Sequence, residues 1–497
     1  MAYNSEGPVH IFNEGAYVRV TNDTNGVVVN YVKANLVIQK DSATTFFLKN
    51  DSYINYYNYT DISTPVSTNL NNLMSQITSW NNAMSSNLNV TSTTTFDNSM
   101  MDSLSRLKVS SHPNSTLNLI TTYDKNPLGI DEIVLSNASS SHNSQKGSVN
   151  MSLVSSSGSR IIRQSKLYTP HVFGSTSTAI VNGILTTNNT NSNVVSKIGL
   201  YDNSNDVSGS SAQSTGNGIF FAYDNSNDLS LVYRTNYSGT QVDTIVKQAD
   251  WNIDTLDGAG PSAATLVVTA PTNFVFEWNQ TNPSSYARAG VYTNGITYCH
   301  VFSNVSAFGN PSLPVRWEMS HDSNLGSANA ATMVQGPACV FADEIYFGPN
   351  KVFQYSMGSN FKMVTSPSTV PLYSLRLEDS YERAKLYPKD LELVNIAGGG
   401  VGQWELVLNA TLSNAGFSNI ATSSYAQGDR SATSSVGGLS IASGYIYDAG
   451  VSKVSLNDKD ISLLCGIDGT QDVLTLLLTN LNGTLNVTSS IEWVEKD

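Results

Sequence analysis

Short runs rich in Val, Ile, Thr and Tyr recur along this chain, each stopped within a few residues by Asn-Gly, Asp-Gly or another glycine-bearing turn. Turns that tight leave no room for the crossover helix of a parallel sheet, so the spacing predicts antiparallel strands. Residues 287–300 illustrate it. Ala287, Ala289 and Val291 alternate with other residues before Asn294-Gly295, and Ile296, Tyr298 and His300 alternate after it, which predicts a hairpin. Asn25-Gly26, Asn182-Gly183, Asn217-Gly218, Asp468-Gly469 and Asn482-Gly483 are read as further turns of this kind. The fold class is therefore all-β, with sandwich architecture.

One segment follows a different period. Leu70, Leu73, Ile77, Trp80 and Met84 recur at helical spacing after Pro65, with Ser67 or Thr68 available as a cap. A short amphipathic helix is predicted over 67–84. The chain divides into an N-terminal β attachment region (1–66), the helix with a Ser/Asn-rich connection (67–150), a central β-sandwich (151–350) and a C-terminal β domain (351–497). Within the first region, strands are predicted over 16–20, 27–32 and 44–48.

Composition narrows the functional classes. Lys+Arg (26) and Asp+Glu (39) make up 13% of the 497 residues, against about a quarter in an ordinary domain. That excludes a coiled coil and a charged disordered tail. The net charge of −13 repels phosphate, so neither nucleic acid nor an anionic membrane surface is an expected partner. Ser, Thr and Asn take the place of the missing charge and suit strand surfaces and turns. Cys299, Cys339 and Cys465 are too few and too far apart for a disulfide framework or a CxxC ligand pair. The first residues show no signal-peptide pattern, and no apolar run approaches the ~20 residues of a membrane span. Synthesis in a cytoplasm is the expectation, without membrane insertion.

Catalytic templates find no match. HExxH, GxSxG, GxxxxGK[ST] and a helix-opening GxGxxG are all absent from the sequence. The six His are scattered, none at ligand spacing to another. Asp-Asn-Ser-Asn-Asp occurs twice, at 202–206 and 224–228, and sets oxygen-bearing side chains at alternating positions, as calcium loops do. Neither copy has the following Gly or distal Glu of a helical calcium loop. The four residues Asp202, Asp206, Asp224 and Asp228 are accordingly read as Asx-turn caps, with calcium as the alternative ligand. In Trp251–Ser262, Asp254 and Asp257 could be imagined as a glycosidase carboxylate pair, yet Asp257-Gly258 followed by Gly260-Pro261 is turn chemistry.

Several blocks, taken in order, resemble a family of virion structural proteins of tailed bacteriophages and of large double-stranded DNA viruses of protists. They are Pro65–Trp80, Asp102–Ser110, Tyr123–Glu132, Arg163–Tyr168, Lys197–Asp202, Gly218–Phe221, Trp251–Ser262, Tyr298–Phe302 and Leu313–Met319, with a looser likeness ending at Trp493. The stretch Trp278–Gly290 departs from the family's pattern by an apparent insertion, and Leu104 and Ser105 replace an aromatic and a glycine. The resemblance implies a non-enzymatic virion component without a cofactor: a fibre, tail appendage or capsid-surface protein that contacts other virion proteins. It also implies a jelly-roll or lectin-like central sandwich and a homo-oligomer, with a trimer as the expected form. The alternative is a glycan-binding adhesin that recognises a host surface. There Tyr223, Tyr233, Trp251, Trp278 and Tyr286 would supply stacking surfaces. The competing reading of those aromatics is sandwich core, and their exposure decides between the two.

Overall fold

The computed structural model describes residues 114–496 apart from 157, 188–192, 204–215, 225–227, 281–284, 294, 322–329, 343–350, 366, 382 and 458–460, together with five N-terminal strands and Ser75 and Ser79. It forms two compact units, 1–97 and 98–497. The first contains β1 (Tyr17–Thr21) paired with β2 (Val28–Val32), and a meander of β3 (Val37–Lys40), β4 (Thr45–Asn50) and β5 (Tyr53–Asn58). The predicted helix over 67–84 lies outside the described residues except for Ser75 and Ser79, both helical and exposed.

The second unit carries two sandwiches. The strands of the first are β6 (Asn114–Leu119), β7 (Ile130–Leu135), β8 (Ser139–Asn143), β9 (Ser148–Leu153), β10 (Arg160–Ser165), β11 (Thr176–Ile184), β12 (Val194–Tyr201), β13 (Gly218–Tyr223), β14 (Leu229–Thr235), β15 (Val242–Lys247), β16 (Thr272–Asn279), β17 (Ser285–Tyr292), β18 (Ile296–Val305), β19 (Val315–His321) and β20 (Ala331–Ala342). One sheet has the order β15-β14-β13-β12-β19-β10-β7. The other has the order β18-β17-β16-β11-β20-β9-β8, with β6 also on β20. All these pairings are antiparallel, as the turn spacing requires. Ile198, Phe221, Leu231 and Trp317 from the first sheet meet Val181, Phe276, Trp278 and Val340 from the second in one core. The boundary drawn at 150 is corrected. Strands β6–β9 complete this sandwich, so it runs over 114–342, and the Ser/Asn-rich stretch after 113 is strand because alternate residues such as Val149, Met151 and Leu153 are buried.

The second sandwich contains β21 (Lys351–Ser356), β22 (Lys362–Thr365), β23 (Ser368–Leu377), β24 (Lys385–Ala397), β25 (Gly400–Leu408), β26 (Thr411–Ser413), β27 (Ser418–Asn419), β28 (Ala426–Asp429), β29 (Ser434–Val436), β30 (Leu439–Tyr447), β31 (Val451–Ser455) and the 24-residue β32 (Val473–Lys496). The first half of β32 pairs with β23 and β25 and its second half with β21, β22 and β24. One strand thus belongs to both layers. Leu375, Leu406 and Leu478 pack against Leu391, Leu485 and Trp493 between them. The all-β, tandem-sandwich architecture stands.

Three of the predicted turns are not turns: Gly218 of Asn217-Gly218 opens β13, paired with Tyr201 and Arg234, and the other two lie inside strands. Gly183 lies inside β11, where an added Cβ would stand 2.8 Å from Ile198 Cδ1 and 2.9 Å from the Val334 carbonyl, so glycine permits close approach of neighbouring strands. Asn482-Gly483 sits within β32 at the change of sheet, with Gly483 at φ 73°. The hairpin of β17 and β18 forms where expected, with Tyr292 opposite Ile296.

Candidate functional site

The five aromatics proposed as a glycan-stacking set do not share an exposed surface. Tyr223, Tyr233, Trp251 and Trp278 are buried core residues. The reason is strand alternation: Phe274, Phe276 and Trp278 point to one face of β16, and Leu229, Leu231 and Tyr233 to one face of β14, the face that meets the opposite sheet. Tyr286 lies on the other side, with its phenol on Glu277. The core reading of this set replaces the stacking reading.

The acidic pentapeptides serve the backbone. Asp224 accepts from the Asp228 N–H at 3.1 Å, closing the loop between β13 and β14, and Asp228 pairs with Lys247 at 2.6 Å. Asp202 accepts from the Asn217 N–H at 2.7 Å and from Arg383. Asp206 lies outside the described residues. Among the described residues no group of three His, Cys, Asp or Glu is placed to hold a metal ion. In Trp251–Ser262, Asp254 accepts from the N–H groups of Leu256 (2.8 Å) and Ser262 (2.7 Å), and Asp257 from that of Ala259 (2.9 Å). Both carboxylates hold a turn, as its glycines predicted.

The central sandwich instead carries two buried charge clusters, one on the outer face of each sheet. On the seven-stranded sheet, Glu318 of β19 accepts from Arg316 at 2.7 and 3.0 Å, from Arg160 at 3.0 and 3.2 Å and from the Tyr201 hydroxyl at 3.1 Å, with Lys197 Nζ at 3.8 Å. Burial alone would raise its pKa, but the charges of Lys197, Arg316 and Arg160 hold it well below the ordinary carboxylate range. Burial in turn lowers the pKa of Lys197. On the eight-stranded sheet, Glu277 accepts from Arg288 at 3.1 Å through each oxygen and from the hydroxyls of Tyr286 and Tyr298 at 2.8 Å. Arg288 lies over the Tyr298 ring, 3.8 Å from its centroid. Each carboxylate is surrounded by donors and positioned by paired strands.

The first cluster continues into the second sandwich. Arg316 donates to Gln164 at 3.0 Å, whose amide reaches the Tyr168 hydroxyl at 3.3 Å. Arg383 covers the Tyr168 ring at 4.7 Å and bonds both Asp202 and the Ser312 carbonyl. Lys166 pairs with Asp472 at 2.9 Å, and Asp131 accepts the Ile467 N–H at 2.7 Å. Between these contacts lies a polar cleft of about 380 Å³, lined among others by Asp131, Lys166, Asn409 and Asp472.

Four of the resembling blocks, Arg163–Tyr168, Lys197–Asp202, Gly218–Phe221 and Leu313–Met319, fall on or beside the adjacent strands β10, β12, β13 and β19. Gln164, Tyr168, Lys197, Tyr201, Arg316 and Glu318 of these blocks take part in the network, joined by Arg160 and Arg383 from outside them. Sequence reasoning missed the Glu318 cluster because Arg160 lies 158 residues away, and the Glu277 cluster because Tyr286, Arg288 and Tyr298 sit on the next two strands and meet it only through the pairing of the sheet. It also passed over Tyr445 and Tyr447, which are 62% and 66% exposed. Their signal was present: Gly444 and Ile446 alternate with them in β30.

No protein-family model and no curated protein matches this sequence. Among solved structures, an alginate lyase from a Chlorella virus aligns with 46% of this chain and 99% of its own at 11% identity and a TM-score of 0.29. The Emp46p carbohydrate recognition domain aligns with 47% and 100% at 10% identity and 0.30. A carbohydrate esterase of a Shiga toxin-encoding bacteriophage aligns with 46% and 99% at 8% identity and 0.27. Likeness at that level carries no argument about activity or ligand.

Proposed function

We propose that this chain is a non-enzymatic structural component of a virus particle, displayed on its surface as a fibre, tail appendage or capsid-surface protein. The observation that supports it is the continuous network from Lys197 and Glu318 through Gln164 and Tyr168 to Arg383. Its members on the central sandwich come from three of the blocks that carry the family resemblance, and Arg383 of the second sandwich joins them, tying the two sandwiches together. A rigid tandem of sandwiches with few surface charges keeps its shape as salt changes, since there are few exposed ion pairs to screen. Homo-oligomerisation, with a trimer as the expected form, follows from the symmetric positions particle components occupy. The carboxylates Glu277 and Glu318 are both engaged in structure, which favours the non-enzymatic reading over a depolymerase.

Immunogold electron microscopy of purified particles, with antibody raised against the central sandwich, tests this. Regularly spaced label on the particle surface is expected. Antigen confined to the soluble fraction, or cleavage of a polysaccharide by the purified chain, would overturn it.

A further inference from the structure

Strand β30 pairs only with β25 among the described strands and faces solvent on its outer side. Gly444 turns inward, where an added Cβ would stand 2.6 Å from the Trp404 ring, and Ile446 is buried beside it. Tyr445 and Tyr447 therefore project outward together, and strand pitch separates them by about 6.7 Å. The register places Tyr445 opposite Gln403, Gln403 opposite Thr479, and Thr479 opposite Thr369. The two threonine hydroxyls share a hydrogen bond of 2.8 Å at the surface. The row across four strands thus reads phenol, amide, hydroxyl, hydroxyl, with no charged group in it.

The geometry points to a binding platform for a neutral oligosaccharide at Tyr445 and Tyr447. The apolar face of a sugar ring stacks on a phenol ring, while its hydroxyls meet the amide of Gln403 and the hydroxyls of Thr479 and Thr369. Charge selects the ligand class. Glu405 flanks the row as its nearest charged side chain on β25, and the chain's net charge is −13, so an acidic polysaccharide is repelled and an uncharged one is not. The inference goes beyond the particle reading and stands apart from it, because the purified chain would bind in the absence of any particle.

Affinity gel electrophoresis of the full chain through gels containing dextran, mannan, galactan or xyloglucan, with polygalacturonate as the acidic comparison, tests the platform. At least one neutral polymer is expected to retard the protein. The double variant Tyr445→Ala/Tyr447→Ala should weaken that retardation at least tenfold, Tyr445→Phe/Tyr447→Phe should keep most of it, and Tyr292→Ala, at an exposed site elsewhere, should leave it unchanged. Circular dichroism and melting of each variant monitor folding, and both tyrosines are exposed enough to replace. Retardation by none of the neutral polymers, retardation by polygalacturonate alone, or full retention by the double alanine variant would overturn the inference. So would light scattering in which the double variant falls to a smaller assembly without any glycan effect, since the face would then be a contact between copies.

Discussion

The Glu277 cluster offers a direct measure of how the central sandwich tolerates buried charge. Glu277→Gln removes the charge that faces Arg288 and keeps an acceptor for only one of Tyr286 and Tyr298, which donate to different oxygens, and both side chains of the charged pair are almost wholly buried. Breaking a buried pair from one side costs about 3–5 kcal/mol. For a sandwich of ~230 residues each kcal/mol lowers Tm by roughly 2–4 °C, so its transition should fall by about 6–20 °C. The double variant Glu277→Leu/Arg288→Met removes both charges. It leaves the Tyr298 phenol short of an acceptor, about 1–3 kcal/mol, below the roughly 3–5 kcal/mol of the single variant, while Tyr286 retains Thr176 as a second partner. It should therefore melt above the single variant. Differential scanning calorimetry of the full chain measures this, with the transition of the C-terminal sandwich as internal reference. A loss below about 2 °C for Glu277→Gln, or a double variant melting at or below the single one, would refute the reasoning, because the cost would then not come from an unbalanced charge.

Three further outcomes follow. Burial and the neighbouring Lys496 push Lys385 down to about 8. The unfolded lysine holds its proton up to about 10.4, so stability rises with pH between those values and the full penalty is in place at neutrality. Lys385→Met should stabilise the C-terminal sandwich by up to ~3 kcal/mol at pH 7 in denaturant unfolding, the gain vanishing near pH 10.5. His171, half-buried beside Trp278, is pushed down to about 4 by desolvation, and its Nε2 has no hydrogen-bond partner among the described residues. Its contribution is complete above the unfolded value of about 6.5 and is lost as pH falls toward 4. Replacing it by Phe should flatten the decline of Tm across that window. Millimolar calcium should leave Tm unchanged in a thermal scan, since Asp202, Asp224 and Asp228 are already engaged by N–H groups and cations.

The sequence pattern revealed strand type and turn position where the local code acts alone, as at the β17–β18 hairpin. It misled where glycine serves packing between strands. Gly183 and Gly483 sit beside asparagines as turn glycines do, but one makes room for Ile198 and the other bends a continuous strand. The aromatic set was legible as core only through alternation: Trp278 shares a face with Phe274 and Phe276, and that face is apolar. The charge clusters needed the register itself. Nothing local to Glu318 predicts Arg160 beside it, because β10 and β19 become neighbours only when the sheet is assembled.

Strand β32 has a consequence for how the second sandwich can be made. Lys351 pairs with Glu495 and Ser368 with Asn480, so partners separated by more than a hundred residues must find one another before either layer closes. Such long-range closure is slow. A chain interrupted just before Val473 would leave β21 and β22 without their partner and β23, β24 and β25 each with one open edge, and these would pair with other copies instead. Translational fidelity up to that strand is thus a condition for solubility, and fragments ending short of it should accumulate as aggregates rather than as a smaller folded domain.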